Sequence, residues 1–167
     1  MKNLFKKISG IILAVISVIS LTLFGACGGN TNNQEQEILA KINTFHETVV
    51  ASQTCLDEVA DDIYRYWYDA IYKDKYYGNI DIAIASAQID NKTNLDTIET
   101  NESIIQSLYK EIRDSKLSFE IKSVMSAYSD YYEFVVNVSG SFNSYSASKE
   151  TLKKELASAL KDLALEL

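Results

Sequence analysis

Apolar residues recur at steps of three and four along most of the chain, which is the spacing that places them on one face of an α-helix. The clearest series lies between Gln34 and about Lys73 and consists of Ile38, Ile42, Phe45, Val49, Ser52, Leu56, Val59, Ile63, Tyr66 and Ala70. It predicts one helix on the order of 60 Å long, since each helical residue adds about 1.5 Å. Gly78 can adopt the left-handed turn that ends a helix, and Asn79 can cap the next one.

Three further series account for the rest of the chain. The second, from about Ile80 to Ser115, contains a polar run at residues 90–94 whose side chains compete for backbone hydrogen bonds, so we expect a kink or short break there. The third follows Ser118, and the same spacing resumes after Gly140, where we favour a real break because glycine destabilises a helix interior by about 1 kcal/mol relative to alanine. The pattern predicts an all-α fold: an antiparallel bundle of three to four long helices over residues 34–167.

Composition limits the classes of function. Lys2, Lys6 and Lys7 account for three of the 16 basic residues, so 13 basic residues stand against 23 acidic ones in the remainder of the chain. Such an acidic body is a poor nucleic-acid ligand, because phosphate binding requires clustered Lys and Arg. Anionic lipid would also repel it. With 47% hydrophobic residues the chain is apolar enough to bury one core, so we expect a single domain.

The first 26 residues have the layout of a secretory signal peptide. A basic start is followed by an apolar run from Ile11 to Phe24 and by two small residues before Cys27. The motif Leu23-Phe24-Gly25-Ala26-Cys27 resembles the lipobox of bacterial lipoprotein precursors, although Phe24 stands where that family usually has leucine. The resemblance implies that Cys27 becomes the N-terminus and carries a diacylglyceryl group. The alternative interpretation is an uncleaved membrane helix.

The lipobox resemblance implies a cellular location for the protein. Two acyl chains on Cys27 suffice for stable attachment, so we expect a protein anchored to the outer face of the bacterial cytoplasmic membrane. Residues 27–33 would form a flexible polar tether. Within the body, Tyr66-Trp67-Tyr68-Asp69-Ala70-Ile71 and Ser139-Gly140-Ser141-Phe142 are similar to segments of small helical lipoproteins from low-GC Gram-positive bacteria, a family with no assigned activity.

Catalytic chemistry has little support in the sequence. His46 is the one histidine, and Val50 occupies the position where a zinc-protease helix needs its second histidine. The acidic run from Asp57 to Asp62 lacks the turn glycine and alternating ligands of a calcium loop, so we interpret it as a solvated helix face. We therefore predict that the protein is not an enzyme and that it holds neither a metal nor a cofactor. A weaker alternative is an enzyme built on carboxylates such as Asp61 or Asp69.

Aromatic residues are concentrated in one short segment, which contains Tyr64, Tyr66, Trp67, Tyr68, Tyr72, Tyr76 and Tyr77. One interpretation is that they pack one end of the bundle with their hydroxyls in water. The other is that Tyr66, Tyr76 and Tyr77, with an edge of Trp67, expose a contact surface at the first interhelix turn, where they suit protein partners or sugar rings.

Two functions follow from the aromatic segment. The first is a lipid-anchored interaction or scaffold module for a protein or peptide. The second is a module that binds a small molecule or cell-wall fragment in a cavity between helices lined by tyrosines. A homodimer is a further option, because the apolar face of the first helix could be covered partly by a second chain.

Overall fold

Residues 31–167 form five α-helices in a computed structural model that describes this part of the chain. They are α1 (Thr31–Tyr72), α2 (Ile80–Asp90), α3 (Lys92–Ile112), α4 (Ser118–Val136) and α5 (Phe142–Ala164), with one short 3-10 turn at Lys75–Gly78 between α1 and α2. No strand occurs in this range, so the all-α class is confirmed. The predicted signal peptide and residues 27–30 of the tether, including Cys27, lie outside the described residues.

Both predicted interruptions are present, and together they make five helices rather than three or four. At the first, the Asn91 side chain donates to the Ala87 carbonyl at 3.0 Å and to Asp62 at 2.9 Å, which separates α2 from α3. At the second, Gly140 has a left-handed φ of 88°. Ser141 then caps α5 in a reciprocal capping box with Ser144. The first helix begins at Thr31, so the last three residues of the predicted tether are helical.

Contacts along α1 define the two ends of the domain. Asn91 at the start of α3 contacts Asp62, whereas Glu111 near its end pairs with Lys41 at 2.8 Å, so α3 runs antiparallel to α1. We name the two ends accordingly. The tip comprises residues 66–82 around the α1–α2 turn, and the base comprises residues 31–41, 110–122 and 161–167. Helix α1, which is about 60 Å long, runs from the outer end of the base at Thr31 to the tip.

A polar layer joins α1 to α4 and α5. The Tyr131 hydroxyl donates to Asp57 at 2.8 Å, and Lys153 pairs with the same carboxylate at 3.0 Å. Lys149 bonds to Asp61, four residues further along α1, so α5 also runs antiparallel to α1. The carboxylates of this acidic run therefore hold helices together, which differs from the solvated face expected from sequence.

The apolar face of α1 is buried within one chain. Its central members are almost fully inaccessible to solvent: Ile42, Phe45, Val49, Ser52, Leu56, Val59 and Ile63. They pack against α3, α4 and α5, whose own apolar faces supply residues such as Ile105, Tyr128 and Leu156 to the same core. A second chain is therefore not needed to cover this face.

We expect the thermal melting temperature of a fragment comprising residues 31–167 to stay constant over a hundredfold dilution, because its core is complete in one copy. An obligate dimer would instead melt at a lower temperature as it is diluted, since dissociation is coupled to unfolding. Differential scanning calorimetry at the two extreme concentrations distinguishes the two cases. A fall of several degrees would show that the fragment depends on a second copy.

Candidate functional site

Large apolar side chains exposed to solvent are concentrated at the tip. Half of those found between residues 31 and 167 lie within its short sequence: Tyr68, Ile71, Tyr72, Tyr77, Ile80 and Ile82. We call these six residues the tip surface. Contiguous exposed apolar groups on a soluble domain commonly mark an interaction site, whereas isolated ones carry no such meaning. The tip is therefore the first candidate for a functional surface.

The backbone of the turn at the tip has an unusual conformation. Asp74, Tyr76 and Tyr77 have φ values of 51°, 55° and 55°, and Gly78 follows with 66°. Glycine adopts this left-handed region freely, but a bulky residue does so only at a cost of order 1–3 kcal/mol. Asn79 ends the turn, since its side chain accepts a hydrogen bond from the Ile82 amide at 3.1 Å and so caps α2. Two tyrosines are thus held in a conformation that the surrounding structure must enforce.

Tyr66 and Tyr76 meet across this turn. Their rings stack with centroids 5.2 Å apart, and the Arg65 guanidinium lies 4.9 Å from the centre of the Tyr66 ring. The Tyr66 hydroxyl donates to Asp90 at the end of α2, and that hydrogen bond is the main reason why the pKa of Tyr66 rises to about 12. These contacts tie the turn to both flanking helices. Tyr77 takes no part in them and is 95% exposed.

Trp67 lies on a different face of α1 from Tyr66 and is buried against α5 rather than exposed beside the turn. Only 4% of it is exposed, and its ring centroid is 6.1 Å from that of Phe142 and 5.5 Å from that of Tyr145. Successive helical residues point about 100° apart, so Trp67 faces α5 whereas Tyr66 faces α2. The prediction that an edge of Trp67 joins Tyr66, Tyr76 and Tyr77 in a surface is wrong for this reason.

A second aromatic group covers the other flank of the tip. Tyr64, Tyr68 and Tyr72, spaced four residues apart on α1, gather around Phe142 at the start of α5, with centroids 5.1, 6.2 and 6.0 Å from its ring. Tyr72 is 60% exposed, and the Lys73 ammonium lies 5.4 Å from the centre of the Tyr68 ring. The four-residue spacing of these tyrosines places them on one face of α1, but it does not reveal the contribution of Phe142, which comes from a distant part of the chain.

Asp69 fixes the lysines next to the turn. This buried carboxylate pairs with Lys73 at 2.8 Å and with Lys75 at 2.6 Å. The hydrogen bonds from Lys73 and then Lys75 lower the pKa of Asp69. A carboxyl group acting as a general acid near neutral pH needs a raised pKa instead. Asp69 is therefore suited to holding the turn in place, and Asp61, bonded to Lys149, belongs to the interhelix layer.

Metal binding has no obvious location in the part of the chain that the structure describes. Between residues 31 and 167, no three potential ligands among His, Cys, Asp and Glu gather closely enough to hold an ion. His46 is half-buried on α1, away from the tip. The prediction that the protein holds no metal or cofactor stays a prediction.

An open groove of about 910 Å³ lies at the base, far from the tyrosines of the tip. Its apolar lining comes from Ile38, Leu39, Ile42 and Leu117, and its polar lining from Gln34, Glu35, Glu111, Asp114, Ser115, Lys116 and Glu166. The Ser115 hydroxyl is buried and has no hydrogen-bond partner within the described chain. No tyrosine lines this groove, so it does not correspond to the tyrosine-lined cavity considered from sequence.

Comparison with protein-family models, curated sequences and solved structures found no match to this chain. Among residues 31–167, no helix combines the length and the apolar character needed to cross a bilayer. Two regions of the described chain are therefore the candidates for a functional surface: the tip, with its exposed apolar side chains, and the base, with its groove.

Proposed function

We propose that the protein is a lipid-anchored extracytoplasmic lipoprotein whose helical bundle binds a protein or peptide partner through its tip. The observation that carries the proposal is the concentration of exposed apolar side chains around a strained turn at one end of α1. The lipobox-like motif ending at Cys27 supports the anchor. The partner surface consists of the tip surface together with Tyr66 and Tyr76.

The length of α1 gives the two ends separate roles. Cys27 precedes the first helical residue, Thr31, by only four positions, so the base stays near the anchor. A helix of 42 residues then carries the tip about 60 Å away. With α3 and α5 packed antiparallel to α1, the helices form a rod that presents its aromatic end away from the membrane, on the outer face of the cytoplasmic membrane.

Tyrosine suits a protein partner for physical reasons. It offers a large rigid contact area with a hydrogen-bonding tip, and such residues contribute much of the affinity at protein interfaces. Tyr77 is the most exposed of the group, while Tyr66 and Tyr76 hold the turn beneath it. Because the turn is fixed before binding, less conformational entropy is lost on association. A small-molecule or cell-wall-fragment module is less favoured, since the groove at the base is lined by no tyrosine.

The test begins with mild detergent extraction of the full chain from its native membranes, followed by mass spectrometry of the intact protein and of whatever co-purifies. We expect an N-terminus at Cys27 with the mass of a diacylglyceryl group, and a protein companion in stoichiometric amount. An intact Met1 would refute the anchor. Lipidated protein that is repeatedly recovered alone would count against the interaction module and favour a soluble ligand.

The variant Tyr77→Ser tests whether the co-purifying companion binds at the tip. The substitution should weaken binding about thirtyfold, as expected for an interface residue worth about 2 kcal/mol, while leaving the melting temperature unchanged because Tyr77 is 95% exposed. Phe119→Ser, which removes an exposed ring at the base, is the matched control and should retain the companion. Equal retention by both variants would exclude the tip as the binding surface.

A further inference from the structure

The base carries its own set of exposed apolar side chains. Phe119, at the start of α4, is 78% exposed and Leu165, after α5, is 74% exposed. Leu39 on α1 and Leu167 are exposed as well. We call these four residues the base surface. Leu39 also lines the groove described above, together with Ile38 and Leu117, and Phe119 and Leu165 lie two residues and one residue along the chain from the lining residues Leu117 and Glu166.

The base also differs from the rest of the domain in charge. Its three segments contain seven acidic and six basic residues, against 16 acidic and seven basic ones in the remainder of residues 31–167. Ion pairs neutralise several of them: Lys116 with Glu35, and Lys41 with both Glu37 at 2.7 Å and Glu111 at 2.8 Å. The negative charge that would keep this domain off an anionic bilayer is therefore concentrated away from the base.

We infer that the base surface lies in the interfacial layer of the membrane, with Phe119 and Leu165 at the boundary between headgroups and acyl chains. The inference rests on the anchor proposed above. Phenylalanine and leucine side chains at this depth contribute favourable apolar burial, and the near-neutral charge adds little repulsion. The partner of this surface is a lipid bilayer.

The short distance in sequence between Cys27 and the first helix is a further reason to place the base at the membrane. Cys27 and Thr31 are four positions apart, and a chain of that length spans at most about 14 Å when fully extended. The start of α1 therefore cannot leave the neighbourhood of the acyl chains. Contact between the base and the bilayer would limit tilting of the domain and hold the tip outward.

Tryptophan fluorescence in vesicles tests the inference. The full lipidated chain carrying Phe119→Trp is reconstituted into phosphatidylcholine–phosphatidylglycerol vesicles with or without brominated acyl chains, which quench tryptophan on contact. The buried Trp67 near the tip supplies a constant background. Tyr72→Trp, an exposed position at the tip, is the matched control.

We expect brominated lipid to remove about half or more of the emission added by Phe119→Trp and to leave that added by Tyr72→Trp unchanged, because only the base reaches acyl-chain depth. Leu165→Trp should behave like Phe119→Trp. Lipidated protein in which neither base reporter is quenched would overturn the inference while leaving the anchor intact. The added emission could instead shift to shorter wavelength without being quenched, by an amount that increases with the number of protein molecules per vesicle. That result would show that the base contacts other copies of the chain, and it would overturn the inference. A mass without diacylglyceryl at Cys27 would overturn both proposals.

Discussion

Replacing Trp67 with alanine should lower the free energy of unfolding by about 3–5 kcal/mol, the usual cost of truncating a large aromatic side chain in a core. Trp67 is 4% exposed and contacts the rings of Phe142 and Tyr145 where α5 packs on α1. A domain of this size is typically stable by only about 5–15 kcal/mol, so the loss is a large fraction of the total. Urea denaturation followed by far-ultraviolet circular dichroism measures it directly.

Tyr72→Ala is the matched control for the tryptophan variant. It removes a neighbouring aromatic ring that is 60% exposed, so the free energy of unfolding should change by no more than about 1 kcal/mol. If Trp67→Ala left stability unchanged and instead abolished partner binding, Trp67 would belong to the contact surface after all. The comparison therefore separates the tryptophan's role in the core from a role in binding.

Above about pH 10, the free energy of unfolding should fall by about 4 kcal/mol for each further pH unit. Tyr128, Tyr131 and Tyr145 are fully buried, and burial is the main cause that raises the pKa of each. Below pH 10 both the folded and the unfolded chain keep the three phenol protons. Above it the unfolded chain releases them while the folded chain retains them, so each residue favours unfolding by about 1.4 kcal/mol per unit.

Urea denaturation at several alkaline pH values, with tyrosinate absorbance recorded in parallel, measures this dependence. Tyr131→Phe removes one of the three ionising groups and should reduce the slope by about one third, although it also removes the hydrogen bond to Asp57 and so lowers stability at neutral pH. Tyr77→Phe removes an exposed phenol and should leave the slope unchanged. A slope that is the same in all three proteins would show that these buried phenols do not control alkaline unfolding.

Much of the helical fold could be predicted from sequence because its signals are local. The three-and-four spacing along α1 gave its buried face, and the polar run around Asn91 and the glycine at 140 marked two breaks. Each break has a hydrogen bond within a few residues of the interruption, from Asn91 to Ala87 and between Ser141 and Ser144, and only Asn91 adds a distant bond, to Asp62 on α1. The start of α1 was predicted at Gln34 rather than Thr31, because nothing in residues 31–33 distinguishes a polar first turn from a tether.

The candidate site was only half predictable, since it depends on contacts distant in sequence. The turn brings Tyr66 and Tyr76 together over ten residues, which local spacing indicates. Trp67 could not be assigned in this way, because its burial depends on where α5 docks, and Phe142 lies 75 residues further along the chain. Periodicity reports the face of a helix on which a residue lies but not which neighbouring helix covers that face.

The left-handed backbone at Tyr76 and Tyr77 has a consequence for how the domain opens. A segment whose own conformation is unfavourable is stabilised only by its neighbours, here through the Tyr66 stack and the Lys75–Asp69 pair. Such segments open locally at a free energy well below that of global unfolding. Amide hydrogen exchange should therefore be faster at residues 74–79 than in the helices on either side. A partner bound at the tip would slow amide exchange at these residues, because the bound state disfavours their local opening.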